Sequence, residues 1–334
     1  MRIGLALPHY DFSAPDGSPV TWERLAAWAR RAEAGGFDSV WISDHFFLSL
    51  ARYGGSGLAF GSAEPITTLA ALAAVTERVR LGTLVLSAGF RHPALVAKAA
   101  TTIDLLSSGR LDLGVGAGWY EEEYRAFGYP FGTVGDRFEI LEESVEVLAR
   151  LLGGGDPVTW EGRWFRLEGA YCRPEPAQRP RPPLWVGGKG GPRLLRLAAR
   201  LADGWNTVWS WTPEDYGERV GTLREVCERV GRDPATMRLS VGLYMLVGED
   251  RRDLEARYAA LRGWHPGGGL DPLDVWTRGA LAGTPEMVLD RLAAFAGLGV
   301  EEVIVSAASV PFAVYDDEIV DLFAESVIPA ARTL

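Results

Sequence analysis

Asp44 and His45 are adjacent residues whose side chains could carry acid–base chemistry. They directly follow Ser39–Ser43, a short apolar run of the kind that forms a buried strand. An imidazole beside a carboxylate can accept or donate a proton near neutral pH. The pair could equally be structural at the rim of the fold, so the residue types alone leave both interpretations open.

A glycine-rich segment, Gly187–Pro192, follows the apolar run Leu184–Val186 and leads into a predicted helix. Glycines allow the backbone to approach a ligand closely, and the first N–H groups of a helix attract anions. Lys189, Arg193 and Arg196 add positive charge at the same place. The segment therefore predicts a phosphate site, and a strand-to-helix turn without a ligand is the alternative.

His92 precedes Pro93 at the start of a predicted helix, and this position favours a structural role. Trp119, Tyr120 and Tyr124 could line a pocket or pack against the body of the protein. The chain has only 4 histidines, and none of them has a partner at the spacing that zinc sites use. We therefore expect no metal site.

The segment 81–115 indicates how these residues are positioned. Leu81–Leu86 and Leu111–Val115 are predicted strands, and the predicted helix Ala94–Leu106 connects them. A strand–helix–strand unit of this kind implies a parallel sheet. Because about eight such strands alternate with helices and no break in composition occurs, the pattern predicts an α/β fold, a (β/α)8 TIM barrel in one domain over residues 1–334.

We predict insertions after strands 2, 4 and 7 of this barrel. They are the long loop 46–63, the insertion 156–183, which contains a hairpin-like alternating run, and the long loop 263–276. A doubly wound open sheet is the alternative fold. It would require a glycine-rich turn after the first strand, and Leu7–Tyr10 is not such a turn.

In a (β/α)8 barrel the active site lies at the carboxyl ends of the strands, and the opposite end serves stability. The candidates that follow predicted strands are His9, Asp44, His45, Ser87, Arg91, His92, Gly116, Trp119, Gly187, Gly188, Trp205 and Asn206. Arg80 and Arg110 precede strands instead. We therefore predict that both are structural and that Arg110 pairs with Asp104.

The composition narrows the class of protein. A net charge of −10 argues against a nucleic-acid binder, which should present a basic surface. No apolar run approaches the ~18 residues of a membrane span, and the start of the chain does not have the pattern of a signal peptide. Cys172 and Cys227 are far apart and in no motif. We expect a cytoplasmic protein without nucleic-acid or membrane partners.

Several motifs, taken together, resemble those of the luciferase-like monooxygenase superfamily. They are WISDHF at 41–46, the whole stretch 81–119, RFEILEE at 137–143, and PPLWVGGKG and LAARLADGWN between 182 and 206. The resemblance spans nearly the whole chain and is closest to the branch that uses the deazaflavin coenzyme F420. It implies a (β/α)8 barrel that holds a flavin-type ring at its mouth.

The resemblance also implies roles for individual residues. Asp44 and His45 match an Asp-His pair beside the reactive ring. Ser87 and Ala88 match a strand end at which the family often has a non-prolyl cis peptide bond. Other matches to cofactor-binding positions are Gly116, Gly118 and Trp119 beside the ring and Gly187 and Gly188 in the phosphate-binding turn. We expect Lys189, Arg193 or Arg196 to meet the acidic tail of the cofactor.

The resulting hypothesis is an F420-dependent oxidoreductase that transfers a hydride between C5 of the deazaflavin and a small organic substrate. His45 acts as acid or base, and Asp44 orients it or tunes it electrostatically. An FMN-dependent two-component monooxygenase with a separate reductase is the alternative within the superfamily. Outside it, the alternatives are a metal-dependent barrel hydrolase using Asp44, His45 and His92, and a non-catalytic flavin-binding barrel. We also expect a homodimer.

Overall fold

The computed structural model describes all of residues 1–334. Its strands, in chain order, are β1 (Arg2–Ala6), β2 (Ser39–Ile42), β3 (Phe47–Ser49), β4 (Ala59–Gly61), β5 (Arg80–Thr83), β6 (Leu86–Ser87), β7 (Leu111–Gly116), β8 (Val158–Glu161), β9 (Arg166–Ala170), β10 (Leu184–Gly187), β11 (Gly204–Val208), β12 (Arg238–Val247), β13 (Leu281–Gly283) and β14 (Val300–Ser306).

The α-helices are α1 (Trp22–Ala34), α2 (Pro65–Ala73), α3 (Pro93–Leu106), α4 (Glu121–Ala126), α5 (Val134–Leu152), α6 (Pro192–Leu201), α7 (Pro213–Arg229), α8 (Arg251–Trp264), α9 (Leu273–Gly279), α10 (Pro285–Gly297), α11 (Asp317–Ser326) and α12 (Ile328–Ala331). None of these helices combines the length and the apolar character that a membrane crossing requires.

Parallel strands form a closed barrel. Hydrogen-bonded neighbours follow the order β10, β11, β12, β14, β1, β2, β5 and β7, and β7 pairs again with β10. Each of these strands therefore lies beside the barrel strand that precedes it in the chain, and helices connect them. This is the arrangement of a (β/α)8 barrel. The predicted fold class is confirmed.

Two buried tryptophans of the barrel wall pack beside glycines of the neighbouring strand. Trp41 of β2 is in register with Gly82 of β5, and Trp185 of β10 is in register with Gly204 of β11. A Cβ atom at Gly82 would lie 2.2 Å from the Trp41 ring, and one at Gly204 would lie 2.3 Å from the Trp185 ring. The two glycines therefore provide the space that the indoles fill.

The segments outside the barrel agree only in part with the prediction. β3 and β4 form an antiparallel hairpin within 46–63, and β8 and β9 form the hairpin expected within 156–183. The predicted loop 263–276 was too long, because α8 continues to Trp264 and α9 begins at Leu273. Trp276 of α9 packs on Tyr258 of α8, with ring centroids 5.5 Å apart. This tertiary contact stabilises α9, which at 7 residues is too short to show a helical periodicity of apolar residues in the sequence.

Arg110 lies before β7, at the end of the barrel opposite the predicted active site. Its guanidinium donates hydrogen bonds to the carbonyl oxygens of Ala73, Thr76, Val79 and Ser107. The predicted ion pair with Asp104 is wrong, because Asp104 accepts hydrogen bonds from the backbone and side-chain amides of Gln178. The structural role expected for Arg110 agrees with its position, since it joins α2 to the start of β7.

Arg110→Ala is expected to lower the free energy of unfolding by about 2–3 kcal/mol, because several carbonyl oxygens lose a charged donor. Urea denaturation followed by circular dichroism measures the change. Arg251→Ala is the control, since Arg251 is exposed and pairs only with Glu255 on α8. The control should change stability by less than about 0.5 kcal/mol. Equal effects of the two substitutions would contradict the structural role of Arg110.

Candidate active site

A cavity of about 720 Å³ lies at the carboxyl ends of the barrel strands, and its volume suits a small-molecule site. It is lined by all but one of the predicted site residues: Asp44, His45, Ser87, Gly116, Gly118, Trp119, Gly187, Gly188 and Lys189. The exception is Ala88, which is buried behind the cavity wall and whose N–H donates to the carbonyl of Gly116. Ala88 therefore supports the residues that line the cavity and is not itself part of the lining.

His45 is held by a carboxylate that did not stand out in the sequence. Its Nδ1 lies 2.8 Å from Oε1 of Glu123, and Oε2 of Glu123 accepts the backbone N–H of Phe46 at 2.9 Å. Glu123 is 1% exposed, so the protein itself occupies both oxygens. A carboxylate bound at Nδ1 fixes the orientation and the tautomer of an imidazole. The other ring nitrogen, Nε2, has no partner in the protein and is available to a ligand in the cavity.

Asp44 does not orient His45, contrary to the predicted pairing. Its carboxylate forms a bidentate ion pair with Arg91, with distances of 2.6 and 3.0 Å, and accepts the backbone N–H of Ser87 at 2.9 Å. Arg91 also pairs with Glu64. Because the charge of Asp44 is compensated in this way, the residue positions the strand end at Ser87 while its side chain lines the cavity.

In the sequence, Glu123 cannot be distinguished from the two acidic residues that precede it. Glu123 is the last of three consecutive acidic residues at the start of α4, where acidic side chains are commonly found on exposed helix surfaces. In the structure Glu121 and Glu122 are exposed, whereas Glu123 and Tyr124 turn inward. Only the packing of α4 against the residues that follow β2 distinguishes Glu123 from its neighbours.

The non-prolyl cis peptide bond is not at the predicted position, Ser87-Ala88. It lies between Leu84 and Val85, in the break between β5 and β6. Ser87 instead pairs in register with Gly116 of β7, so it belongs to the regular sheet. The side chain of Val85 packs against three glycines. A Cβ atom on Gly114, Gly116 or Gly187 would lie within 2.8 Å of it. These glycines admit Val85 to the lining of the cavity.

The glycine turn after β10 is held by neighbouring groups. The N–H of Gly188 donates to the carbonyl of Asn206 at 3.0 Å, and the carbonyl of Gly188 accepts from the indole of Trp205 at 3.0 Å. The N–H of Gly188 is therefore not free for a phosphate. No side chain caps the start of α6, so its first-turn N–H groups remain open to an anion. Arg193 is bound to Glu142 on α5 by two hydrogen bonds.

A buried chain of polar groups leads from His9 to the cavity. His9 Nδ1 donates to the carbonyl of Leu7 at 2.9 Å, and Nε2 accepts from the hydroxyl of Ser43 at 3.0 Å. Ser43 in turn accepts from the hydroxyl of Tyr10 at 2.6 Å. Burial lowers the pKa of His9 from 6.5 to about 3. His9, a strand-end candidate, is thus a neutral structural residue, and it is Tyr10 and Ser43 that line the cavity.

His9 is expected to make the protein less stable in acid. It takes up a proton near pH 6.5 when unfolded but only near pH 3 when folded. The unfolded chain therefore binds more protons between these values, and stability falls as the pH falls through this window. The contribution of His9 is up to about 1.4 kcal/mol per pH unit. Urea denaturation at several pH values should show a flatter dependence for His9→Asn, and an unchanged slope would contradict this account.

His92 has the structural role that the sequence predicted. Its Nδ1 accepts the backbone N–H of Ala94 at 3.2 Å and so caps α3. Phe165 packs edge-on against its ring, with centroids 5.1 Å apart. Nowhere do three His, Cys, Asp or Glu side chains converge in an arrangement that could hold a metal ion. The hypothesis of a metal-dependent hydrolase, which requires Asp44, His45 and His92 together, therefore lacks a donor set.

Known proteins resemble this chain over most of its length. The family model described as luciferase-like monooxygenase matches residues 1–302. An F420-dependent hydroxymycolic acid dehydrogenase of Mycobacterium tuberculosis (strain ATCC 25618 / H37Rv) is 31% identical over 340 residues, covering 99% of this chain and 88% of that protein. A phthiodiolone/phenolphthiodiolone dimycocerosates ketoreductase of the same strain is 32% identical over 232 residues. That match covers 66% of this chain and 60% of the length of the ketoreductase.

A solved structure shows the same fold. An F420-dependent secondary alcohol dehydrogenase in complex with an F420-acetone adduct superposes with a TM-score of 0.78 at 24% identity, and the match covers 99% of both chains. At this identity the similarity establishes the fold alone. The match to the family model and the similarity to the hydroxymycolic acid dehydrogenase establish the family as well. This chain belongs to the luciferase-like monooxygenase family.

Proposed function

We propose that this protein is an F420-dependent oxidoreductase that transfers a hydride between the deazaflavin and a small organic substrate. The observation that carries the proposal is His45, which is oriented by the buried Glu123 and has its Nε2 free in the cavity. Two relatives named for F420, the hydroxymycolic acid dehydrogenase and a glucose-6-phosphate dehydrogenase of Nakamurella multipartita, are 31% and 30% identical over 99% and 97% of this chain. They favour F420 over FMN.

The cavity fits a flavin-type cofactor. Gly116, Gly118 and Gly187 leave room for the side chains of Val85 and Tyr124, since a Cβ atom at each glycine would lie within 2.7 Å of one of them. Val85 lines the cavity together with Leu84 and Leu86, and these apolar side chains form a surface on which a planar ring can pack. We assign the phosphate to the open N–H groups at the start of α6, beside the turn at Gly187-Gly188, and the ring to the region of Gly116–Trp119 and Ser87. When bound, the deazaflavin supplies C5 as the acceptor or donor of the hydride.

The protein's own residues handle the accompanying proton. His45 Nε2 accepts the proton of a substrate hydroxyl when an alcohol is oxidised and donates it to the carbonyl oxygen in the reverse direction. Glu123 holds the Nδ1–H and stabilises the positive charge that the imidazole gains with the proton. Asp44, which is bound to Arg91 and to the N–H of Ser87, holds the strand end at Ser87 in the cavity wall. One hydride and one proton thus leave the substrate together.

Fluorescence titration of the purified protein with F420 and with FMN tests the proposal. F420 is expected to bind at least about tenfold more tightly than FMN, a difference of about 1.4 kcal/mol. If neither bound, the proposal would fail. If FMN bound more tightly and a reductase supplying reduced FMN caused oxygen consumption, the two-component monooxygenase would replace it. A separate reductase partner is required only in that second case.

We also propose that the protein acts as a homodimer. Leu105 and Leu106, adjacent residues at the end of α3, are 41% and 55% exposed, and Leu95 of the same helix is 62% exposed. Neighbouring large apolar side chains that are exposed together are often covered by another chain. Light scattering after size-exclusion chromatography is expected to give twice the mass of the chain, and the mass of a single chain would contradict the proposal.

A further inference from the structure

The charged side chains that line the cavity are unequally paired. Both acidic side chains have a partner: Asp44 is bound by Arg91, and Glu123 is bound by His45. The two cations of the lining, Arg52 and Lys189, form no ion pair. The cavity therefore presents uncompensated positive charge to a ligand.

Arg52 is held at the exposed rim of the cavity by an aromatic contact. Its guanidinium carbon lies 4.4 Å from the ring centroid of Trp119, a cation–π arrangement that restricts the side chain without using its N–H donors. Trp119 in turn lies edge-on to His45, with ring centroids 5.5 Å apart. The charge of Arg52 is thus one indole ring away from the imidazole to which we assign the proton transfer.

Lys189 supplies the second cation, from the turn after β10. Its ammonium donates one hydrogen bond to the carbonyl of Trp209 at 3.0 Å and lies 5.2 Å from the Trp211 ring, so two N–H donors remain. Burial, and after it the charge of Arg52, lowers the pKa of the Lys189 ammonium. Both cations also line the same cavity, where their like charges oppose one another. An anion between them relieves this repulsion and accepts hydrogen bonds from both.

The remainder of the cavity near these cations is aromatic. Trp209 stacks on Tyr244, with centroids 5.3 Å apart, and packs edge-on to Phe312 at 5.6 Å. These rings line the cavity together with Tyr10, Tyr53 and Trp119. A ligand that fits this surface has an apolar body and a negatively charged end.

We propose that the substrate is an apolar organic anion whose carboxylate, phosphate or sulfonate group is bound between Arg52 and Lys189. This inference rests on the proposed function, because it assigns the reacting carbon to the neighbourhood of His45. The acidic tail of the cofactor is the other possible source of the anion. The substrate is favoured because Arg52 lies on the Trp119 and His45 side of the cavity, whereas the cofactor phosphate has its own donors at the start of α6.

The experiment compares two fluorescent probes of the same shape. Anilinonaphthalenesulfonate carries a sulfonate, and phenylnaphthylamine is its neutral analogue. The free protein is expected to bind the anionic probe at least about tenfold more tightly. Arg52→Gln should remove most of that preference, Lys189→Gln should reduce it, and Arg52→Lys should restore part of it. Arg125→Gln is the charge-matched control, because Arg125 is exposed on α4, pairs with Glu121 and does not line the cavity.

A titration of the same variants with F420 separates the two sources of the anion. The proposal expects Arg52→Gln to leave F420 affinity within about twofold of the original value, a change of less than about 0.5 kcal/mol. Equal binding of the two probes, or an anion preference that survives in Arg52→Gln, would overturn the proposal. A loss of F420 affinity as large as the loss of probe affinity would also overturn it and assign the site to the cofactor. If the protein bound no F420, the proposed function would fail while the probe comparison still tested the anion site.

Discussion

His45→Asn is expected to reduce turnover by about 10²–10⁴-fold while leaving cofactor affinity nearly unchanged. The amide nitrogen of asparagine occupies roughly the place of Nδ1 and can still donate to Glu123, so the buried carboxylate keeps a partner. What is lost is Nε2, the atom that exchanges the proton with the substrate. Turnover is followed by the absorbance of F420, with the fastest substrate from a panel of secondary alcohols, sugar phosphates and hydroxy acids.

His92→Asn makes the same chemical change at a second histidine near the same end of the barrel. His92 caps α3 through Nδ1, and asparagine is a good N-cap residue. This control variant should therefore retain the original turnover and stability. Turnover by His45→Asn within about tenfold of the original would contradict the role of His45, since general acid–base catalysis contributes at least about 10²-fold.

Glu123→Gln is expected to cause the second largest loss, again about 10²–10⁴-fold in turnover. Both oxygens of Glu123 face N–H donors, one on His45 and one on the backbone of Phe46. A glutamine amide has only one oxygen, and the backbone donor cannot turn away. The NH₂ group of the glutamine therefore faces Nδ1 of His45, which must become an acceptor. The ring proton then moves to Nε2, where it blocks the acceptance of a proton from an alcohol.

Nitrogen NMR of the labelled imidazole distinguishes this effect from a general loss of structure. In the original protein His45 should carry its proton on Nδ1, and in Glu123→Gln it should carry it on Nε2. Glu122→Gln is the control, because Glu122 is exposed and only accepts a hydrogen bond from the hydroxyl of Tyr120 at 2.7 Å. An unchanged tautomer in Glu123→Gln, together with normal turnover, would contradict the assigned role of Glu123.

The fold and much of the candidate site could be predicted from the sequence, because the relevant information is local. Buried parallel strands appear as apolar runs, and the residues that follow those runs must lie at the carboxyl end of the barrel. This argument placed His45, Trp119 and the turn at Gly187-Gly188 around one cavity, where the structure also has them. It also separated Arg110, which lies at the opposite end.

The errors concern contacts between segments that are distant in the chain. Asp44 is adjacent to His45 in sequence, yet its carboxylate reaches Arg91, 47 positions away. Glu123 is 78 positions from His45 and binds its ring. The break in the third barrel strand occurs at Leu84-Val85, where the side chain of Val85 meets glycines of β7 and β10. No pattern within one segment specifies which partner a side chain meets.

The sequence by itself therefore determined the type of barrel, the end of it that holds the cavity, and the imidazole and glycine turn that lie there. These properties follow from periodicity and from the order of elements, which each segment carries independently. The tertiary structure alone decided that Glu123 orients His45, that Arg91 compensates Asp44, and that Arg52 and Lys189 remain unpaired at the rim. These pairings depend on how the strand-end loops pack against one another, and side-chain direction at that scale is set by the assembled barrel.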